Sequence, residues 1–129
     1  MNTKVFWLAL VAGLLLIPAP PGFAAFPGLN GKIAFTRQVD NGNLQIWVMN
    51  HDGTEPTNLT DNTTYYESNP VWSPDGTRLA FMSNRAGNND IWVMNADGTD
   101  LHNLTNSTTH HEYSPAWSPD GAKMVVSYR

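Results

Sequence analysis

Ile46-Trp47-Val48-Met49-Asn50 is followed by Asp52-Gly53-Thr54, and 45 positions later the chain reads Ile91-Trp92-Val93-Met94-Asn95 and Asp97-Gly98-Thr99. Asn58-Leu59-Thr60 returns as Asn103-Leu104-Thr105, and Trp72-Ser73-Pro74-Asp75-Gly76 as Trp117-Ser118-Pro119-Asp120-Gly121. When 46–84 is aligned on 91–129, 20 of 39 positions are identical, which chance does not produce. Self-similarity at a fixed period of this length marks a fold assembled from stacked units, each burying its apolar faces against a neighbour. A fainter third copy precedes the other two. Gly31-Lys32-Ile33-Ala34-Phe35 matches Thr77-Arg78-Leu79-Ala80-Phe81, which in turn matches Ala122-Lys123-Met124-Val125-Val126.

Each unit reads as four short strands. In the middle copy the first runs from Ser68 to Ser73 and ends in Ser73-Pro74-Asp75-Gly76. Proline presets φ in such a turn, while Asp and Gly favour the remaining positions. The second strand is Arg78 to Ser83, and the loop 84–89 leads to a third, Asp90 to Asn95. Ile91 and Val93 alternate with Trp92 and Met94, so both faces of that strand are apolar, as a sheet sandwiched between two others requires. Ala96-Asp97-Gly98-Thr99 is a hairpin turn, and an outer fourth strand is expected from Leu101 to Thr105. Beyond the N-terminal segment no stretch has sustained helical periodicity.

Four strands every 40–45 residues is the period of a β-propeller blade. The Trp-Ser-Pro-Asp-Gly turn, the Ile-Ala-Phe-type strand, the Ile-Trp-Val-Met-Asn strand, the Asp-Gly turn and the Asn-Leu-Thr ending resemble the repeat of TolB-type propellers, over all of residues 30–129. The opening Phe26-Pro27-Gly28-Leu29-Asn30-Gly31-Lys32 is also similar to that of secreted bacterial members. The fold expected is all-β: a partial β-propeller of four-stranded antiparallel blades, with one complete blade (68–105) flanked by partial ones (32–60 and 114–128). Nine strands are too few for a ring of roughly four to eight blades, so the chain reads as part of a longer propeller. Unpaired apolar edges leave self-association open as the alternative.

Residues 1–25 stand apart. Lys4 is the only charged side chain before Lys32, an apolar run extends from Val5 to Ile17, and Pro18-Ala19-Pro20-Pro21-Gly22 leads to small residues ending at Ala24-Ala25. Positive end, apolar middle and small-residue terminus make up a signal peptide. The apolar run is short against the roughly 20 residues that cross a bilayer. A signal helix cleaved after Ala24 or Ala25 is therefore expected, with no membrane insertion afterwards and a periplasmic or secreted destination. Residues 26–129 then carry six Lys/Arg against eleven Asp/Glu. Scattered cations on a mildly acidic domain supply no stripe to neutralise phosphates, so nucleic acid is not an expected partner. Absence of cysteine excludes a disulfide scaffold and a thiol nucleophile.

The repeat also decides how single residues are read. Trp47, Trp72, Trp92 and Trp117 recur one period apart, as do Pro74-Asp75-Gly76 and Pro119-Asp120-Gly121. Recurrence in every unit signals packing and turn chemistry rather than ligand stacking or catalytic carboxylates. The Asp-Gly turns at Asn50–Gly53 and Asn95–Gly98 lack the further carboxylates of a calcium loop. Four Asn-x-Thr/Ser sequons, at Asn58, Asn62, Asn103 and Asn106, are by-products of the repeated ending. His102, His110, His111 and Glu112 break the pattern, standing where the previous unit has Thr57, Tyr65, Tyr66 and Glu67. Imidazole with carboxylate is metal-binding chemistry, but the spacing matches no established site, so no metal and no cofactor is expected. A departure from the framework in a connecting loop is where recognition is grafted onto a scaffold. Tyr65, Tyr66, Glu67, His110, His111 and Glu112 are accordingly the candidate contact surface.

No nucleophile elbow, H-E-x-x-H or phosphate-cradling glycine loop occurs. The expectation is an exported, non-catalytic module that binds a protein partner. The resemblance implies the same, since the family includes periplasmic scaffolds. It also implies an alternative: the propeller portion of an exported serine peptidase or polysaccharide lyase whose catalytic part lies elsewhere.

Overall fold

The computed structural model describes residues 31–62 and 64–129; the expected signal peptide and its cleavage site lie outside them. Nine strands follow in chain order: β1 (Lys32–Gln38), β2 (Leu44–Asn50), β3 (Thr57–Asn58), β4 (Glu67–Trp72), β5 (Arg78–Ser83), β6 (Asp90–Asn95), β7 (His102–Asn103), β8 (Glu112–Trp117) and β9 (Met124–Tyr128). They form three antiparallel sheets of order β1-β2-β3, β4-β5-β6-β7 and β8-β9. The chain is thus a partial propeller with one four-stranded blade between a three-stranded and a two-stranded one. No helix among the described residues is long and apolar enough to cross a membrane.

Turn chemistry sets where strands begin. At the β4–β5 junction the Gly76 N–H donates to the Ser73 carbonyl at 2.8 Å, and Gly76 adopts φ +69°, a left-handed conformation that costs glycine nothing. The Ser73 hydroxyl donates to Asp75 Oδ1 at 2.6 Å and accepts from the Arg78 N–H at 3.0 Å, while Asp75 also accepts from the Thr77 N–H. Ser118, Asp120 and Gly121 repeat the arrangement between β8 and β9. The β6–β7 turn is closed by Gly98 donating to the Asn95 carbonyl and by Asp97 accepting from the backbone and hydroxyl of Thr99. Its counterpart at Asn50–Thr54 is the same.

Inner strands β4 and β8 each contain a bulge, between Ser68 and Val71 and between Tyr113 and Ala116. Asn69 and Ser114 take φ +56° and +51° there. The bulges interrupt the ladder beside Pro70 and Pro115, which have no N–H to give it.

The outer strand differs from expectation. In place of a strand over 101–105, β7 holds only His102 and Asn103, and β3 is equally short. The reason lies in the Asn-Leu-Thr motif. Past Asn103, the Ile91 N–H is accepted by the Thr105 hydroxyl at 3.0 Å instead of by a backbone carbonyl. Asn103 Oδ1 then accepts the Asn106 N–H, in a turn where Asn106 has φ +46°. Thr60 and Asn58 do the same beside Ile46. Side chains take over the ladder and turn the chain inward, toward the next blade.

Packing follows from pleat alternation in the middle sheet. Leu79, Phe81 and Met94 lie on one face, with Trp92, and close against Ile46, Ala34 and Leu59 of the first sheet. Ala80, Met82, Ile91 and Val93 lie on the other and close against Tyr113, Trp117, Met124 and Val126 of the third. Cross-strand pairs Leu79–Met94 and Phe81–Trp92 alternate with Ala80–Val93 and Met82–Ile91, so strict period-2 alternation with both phases apolar produces two separate cores. On β9 the forward-facing Val125 is 72 % exposed.

Candidate binding surface

The loop between β5 and β6, residues 84–89, holds the two candidate segments side by side. On one flank the Tyr66 N–H donates to Asn84 Oδ1 at 2.9 Å, and the Arg85 guanidinium lies 5.1 Å from the centre of the Tyr65 ring. On the other, Asn88 Nδ2 donates to the carbonyls of Ser107 and His110, the Asn89 N–H donates to His111 Nδ1, and the Glu112 N–H donates to the Asn89 carbonyl at 2.7 Å. Tyr65, Tyr66, His110 and His111 therefore belong to one end of the propeller. Tyr66 is 39 % exposed, and His110 and His111 are exposed as well.

Glu67 does not join that surface. It is fully buried, its Oε1 2.7 Å from Arg85 Nε, with Ser83 Oγ donating to the same oxygen and Asn62 Nδ2 to Oε2. Placement of Glu67 among exposed contact residues is corrected on this point. The reason is that the first residue of β4 pairs with Ser83 at the end of β5, which turns its carboxylate under the loop, where Arg85 reaches it. Arg85 was not singled out in the sequence. The available signal was a cation just after the second strand, opposite a Glu that both repeats retain.

Histidines are spread rather than gathered. His102 Nδ1 faces the Asp100 carbonyl at 2.9 Å, His110 Nδ1 lies 2.7 Å from Thr109 Oγ1, and the His110 ring stands edge-on to Tyr128 with centroids 5.2 Å apart. His111 is turned toward Asn89. Among the described residues no three His, Asp or Glu side chains come close enough to hold a metal ion. Glu112 Oε2 is buried without a hydrogen-bond partner among the described residues.

Asp90, the other buried acid, is satisfied at both oxygens. Asn103 Nδ2 donates to Oδ2 at 2.6 Å, and Asn88 Nδ2 and the Ser107 N–H donate to Oδ1. It ties the loops together and offers no free lone pair toward solvent. The tryptophans lie in the sheets: Trp117 Nε1 donates to the Val71 carbonyl of the neighbouring blade at 3.3 Å, and Trp72 and Trp92 pack against the first core. Trp47 sits under the Arg37 guanidinium at 4.7 Å.

The turn carboxylates are acidified. The Ser73 hydroxyl, then the Thr77 N–H, hold Asp75 below its ordinary 3.8, and the Ser118 hydroxyl does the same for Asp120. For Asp52 and Asp97 the leading cause is the hydroxyl of Thr54 and of Thr99. A folded-state value lower than the unfolded one means that the unfolded chain binds more protons in the interval between them. Their contribution to stability is therefore complete above the unfolded value and is lost as pH falls through the folded one. Melting temperature is expected to drop between about pH 4 and about pH 2.5, and less steeply in an Asp75→Asn/Asp120→Asn variant. Thermal unfolding followed by circular dichroism across that range checks this; parallel curves would refute it.

A family model described as the TolB β-propeller domain matches residues 21–129. Among solved structures, one titled as a TolB from Agrobacterium tumefaciens superposes with a TM-score of 0.71 at 28 % identity, covering 77 % of this chain and 35 % of that one. Among curated proteins, the uncharacterised protein YidR of Escherichia coli K12 is 41 % identical over 51 residues, 40 % of this chain and 12 % of YidR. The chain thus spans about a third of the solved structure and about an eighth of the curated relative.

Proposed function

Because this chain belongs to the TolB β-propeller family, we propose that it is an exported, non-catalytic module that binds a protein partner in the periplasm or outside the cell. The observation that carries this reading is the state of the chemically capable side chains. Glu67 and Asp90 are buried in closed hydrogen-bond sets, and Asp52, Asp75, Asp97 and Asp120 are spent on turns. Aromatic and imidazole groups that depart from the repeat stand exposed at one end. Tyr66, His110 and His111, with Tyr65 beneath, offer amphipathic rings with polar tips, the chemistry favoured at protein contacts. His102 lies apart on the outer strand and takes no role.

Export and binding are tested separately. Residues 1–30 fused to alkaline phosphatase, which folds only where its disulfides form, are expected to give active reporter; an inactive fusion at normal expression would remove export from the proposal. For binding, cross-linking in cells is expected to yield a defined adduct with the native chain that a Tyr66→Ala/His110→Ala/His111→Ala variant of unchanged circular dichroism loses. An adduct retained in full by that variant would show that the partner sits elsewhere. Turnover of casein or of an anionic polysaccharide by the purified chain would contradict the non-catalytic reading.

A further inference from the structure

Glu67 and Glu112 occupy the same place in successive blades, yet only one of them is satisfied. Glu67 receives Arg85, Ser83 and Asn62. At the third blade the counterparts of Ser83 and Asn62 are Tyr128 and Ser107, and neither donates to Glu112. Tyr128 is 69 % exposed and stacked on His110. The Ser107 N–H is committed to Asp90, and its hydroxyl accepts from His110. One oxygen of Glu112 is left buried and unpaired, a costly state for a group that carries charge. Tyr65, the aromatic cover of Arg85, has His110 as its counterpart, so the cover is present and the cation is not.

The strand beside it is incomplete in the same sense. β5 is paired on both sides, by β4 and β6, whereas β9 is paired only with β8. Its outer edge is free among the described residues, with Val125 and Tyr128 exposed along it. In the middle blade the residues that fill the two equivalent places are contiguous. Arg85 reaches Glu67, and five residues later β6 begins and pairs with β5 in the register Ser83–Asp90 to Arg78–Asn95. Backbone edge and carboxylate together define a two-point fit.

From this we infer that Glu112 and the free edge of β9 form a docking site for an arginine-led β-strand of a separate polypeptide. The guanidinium enters beneath His110 to pair with Glu112, and the strand adds antiparallel to β9 from Tyr128 to Lys123. Strand addition supplies affinity through the backbone, and the charge pair supplies register. A second copy of this chain is a poor occupant, because its one arginine-led strand of this pattern is already β6 of its own middle blade, and the loop before β2 carries no cation between Val39 and Asn43. The inference is independent of whether the loop end binds a partner.

The chain's own repeat provides the probe: a labelled peptide with the sequence of residues 85–95, Arg-Ala-Gly-Asn-Asn-Asp-Ile-Trp-Val-Met-Asn, titrated against the purified protein. Saturable 1:1 binding is expected, weakened at least about tenfold by Arg85→Ala in the peptide or by Glu112→Gln in the protein, with the two losses failing to multiply when combined. The peptide variant leaves the protein untouched, so a folding defect in Glu112→Gln does not obscure the result. Amide shifts on binding are expected at 124–128. Absence of saturable binding, equal affinity of the Arg85→Ala peptide, or shifts confined to β5 and β6 would overturn the proposal. So would oligomers of the protein alone that Glu112→Gln dissolves, since a second copy would then be the occupant.

Discussion

Phe81→Ala is expected to destabilise the protein by about 3–5 kcal/mol, the range for truncating a buried aromatic in a core that relaxes only partly. Phe81 is fully buried, paired across the strand with Trp92, and shares its cluster with Ile46, Leu79 and Met94. It is the largest side chain buried to that degree, and it joins two sheets rather than filling one. The whole folding free energy of a domain of this size is about 5–15 kcal/mol, so the substitution takes a large share of it. Urea unfolding of wild type and variant measures the difference. Val125→Ala, at a 72 % exposed position, serves as a control expected to stay within about 0.5 kcal/mol of wild type. A Phe81→Ala loss below about 1 kcal/mol would mean that the first two sheets do not share this core.

Arg85→Ala is expected to cost a similar amount, about 3–5 kcal/mol, for a different reason. The Glu67 carboxylate is fully buried, and the Arg85 side chain is only 18 % exposed, so solvent screens the pair weakly. Removing the cation leaves a buried charge with only Asn62 and Ser83 as donors, and breaking such a pair from one side is far more damaging than replacing both members. A Glu67→Leu/Arg85→Met variant is therefore expected to be more stable than Arg85→Ala alone, although it carries more changes. The same unfolding measurement decides it. If the single and double variants fall by the summed amounts of independent substitutions, the pair is not coupled and Glu67 is held by the backbone.

How far these features were legible before the structure depends on their range along the chain. Trp72-Ser73-Pro74-Asp75-Gly76 announces its turn because every partner of Asp75 lies within two residues of it. The same holds for Asp97 and Thr99. Strands β5 and β6 were legible from alternation, since apolar residues in both phases fit a sheet covered on both faces. The two-residue length of β7 was not. Leu101 to Thr105 has the composition of a strand, and only the position of the Thr105 hydroxyl against the Ile91 N–H shows that a side chain replaces the ladder. The candidate surface was half legible. Departures from the repeat at Tyr65, Tyr66, His110 and His111 pointed to one loop end, whereas Glu67 has the polarity of an exposed residue and is drawn inside by a cation 18 positions away.

What the sequence by itself determined is the unit: its 45-residue period, its strands in order, its turns, and its membership among propeller repeats. These follow from bonds between near neighbours and from periodicity, which a linear string records. The tertiary structure alone decided which face of the middle sheet meets which neighbour, that Glu67 is buried with Arg85, and that Glu112 is buried without such a partner. Burial and charge pairing arise where units meet, and two glutamates that the sequence writes identically differ because a guanidinium lies against one and not the other.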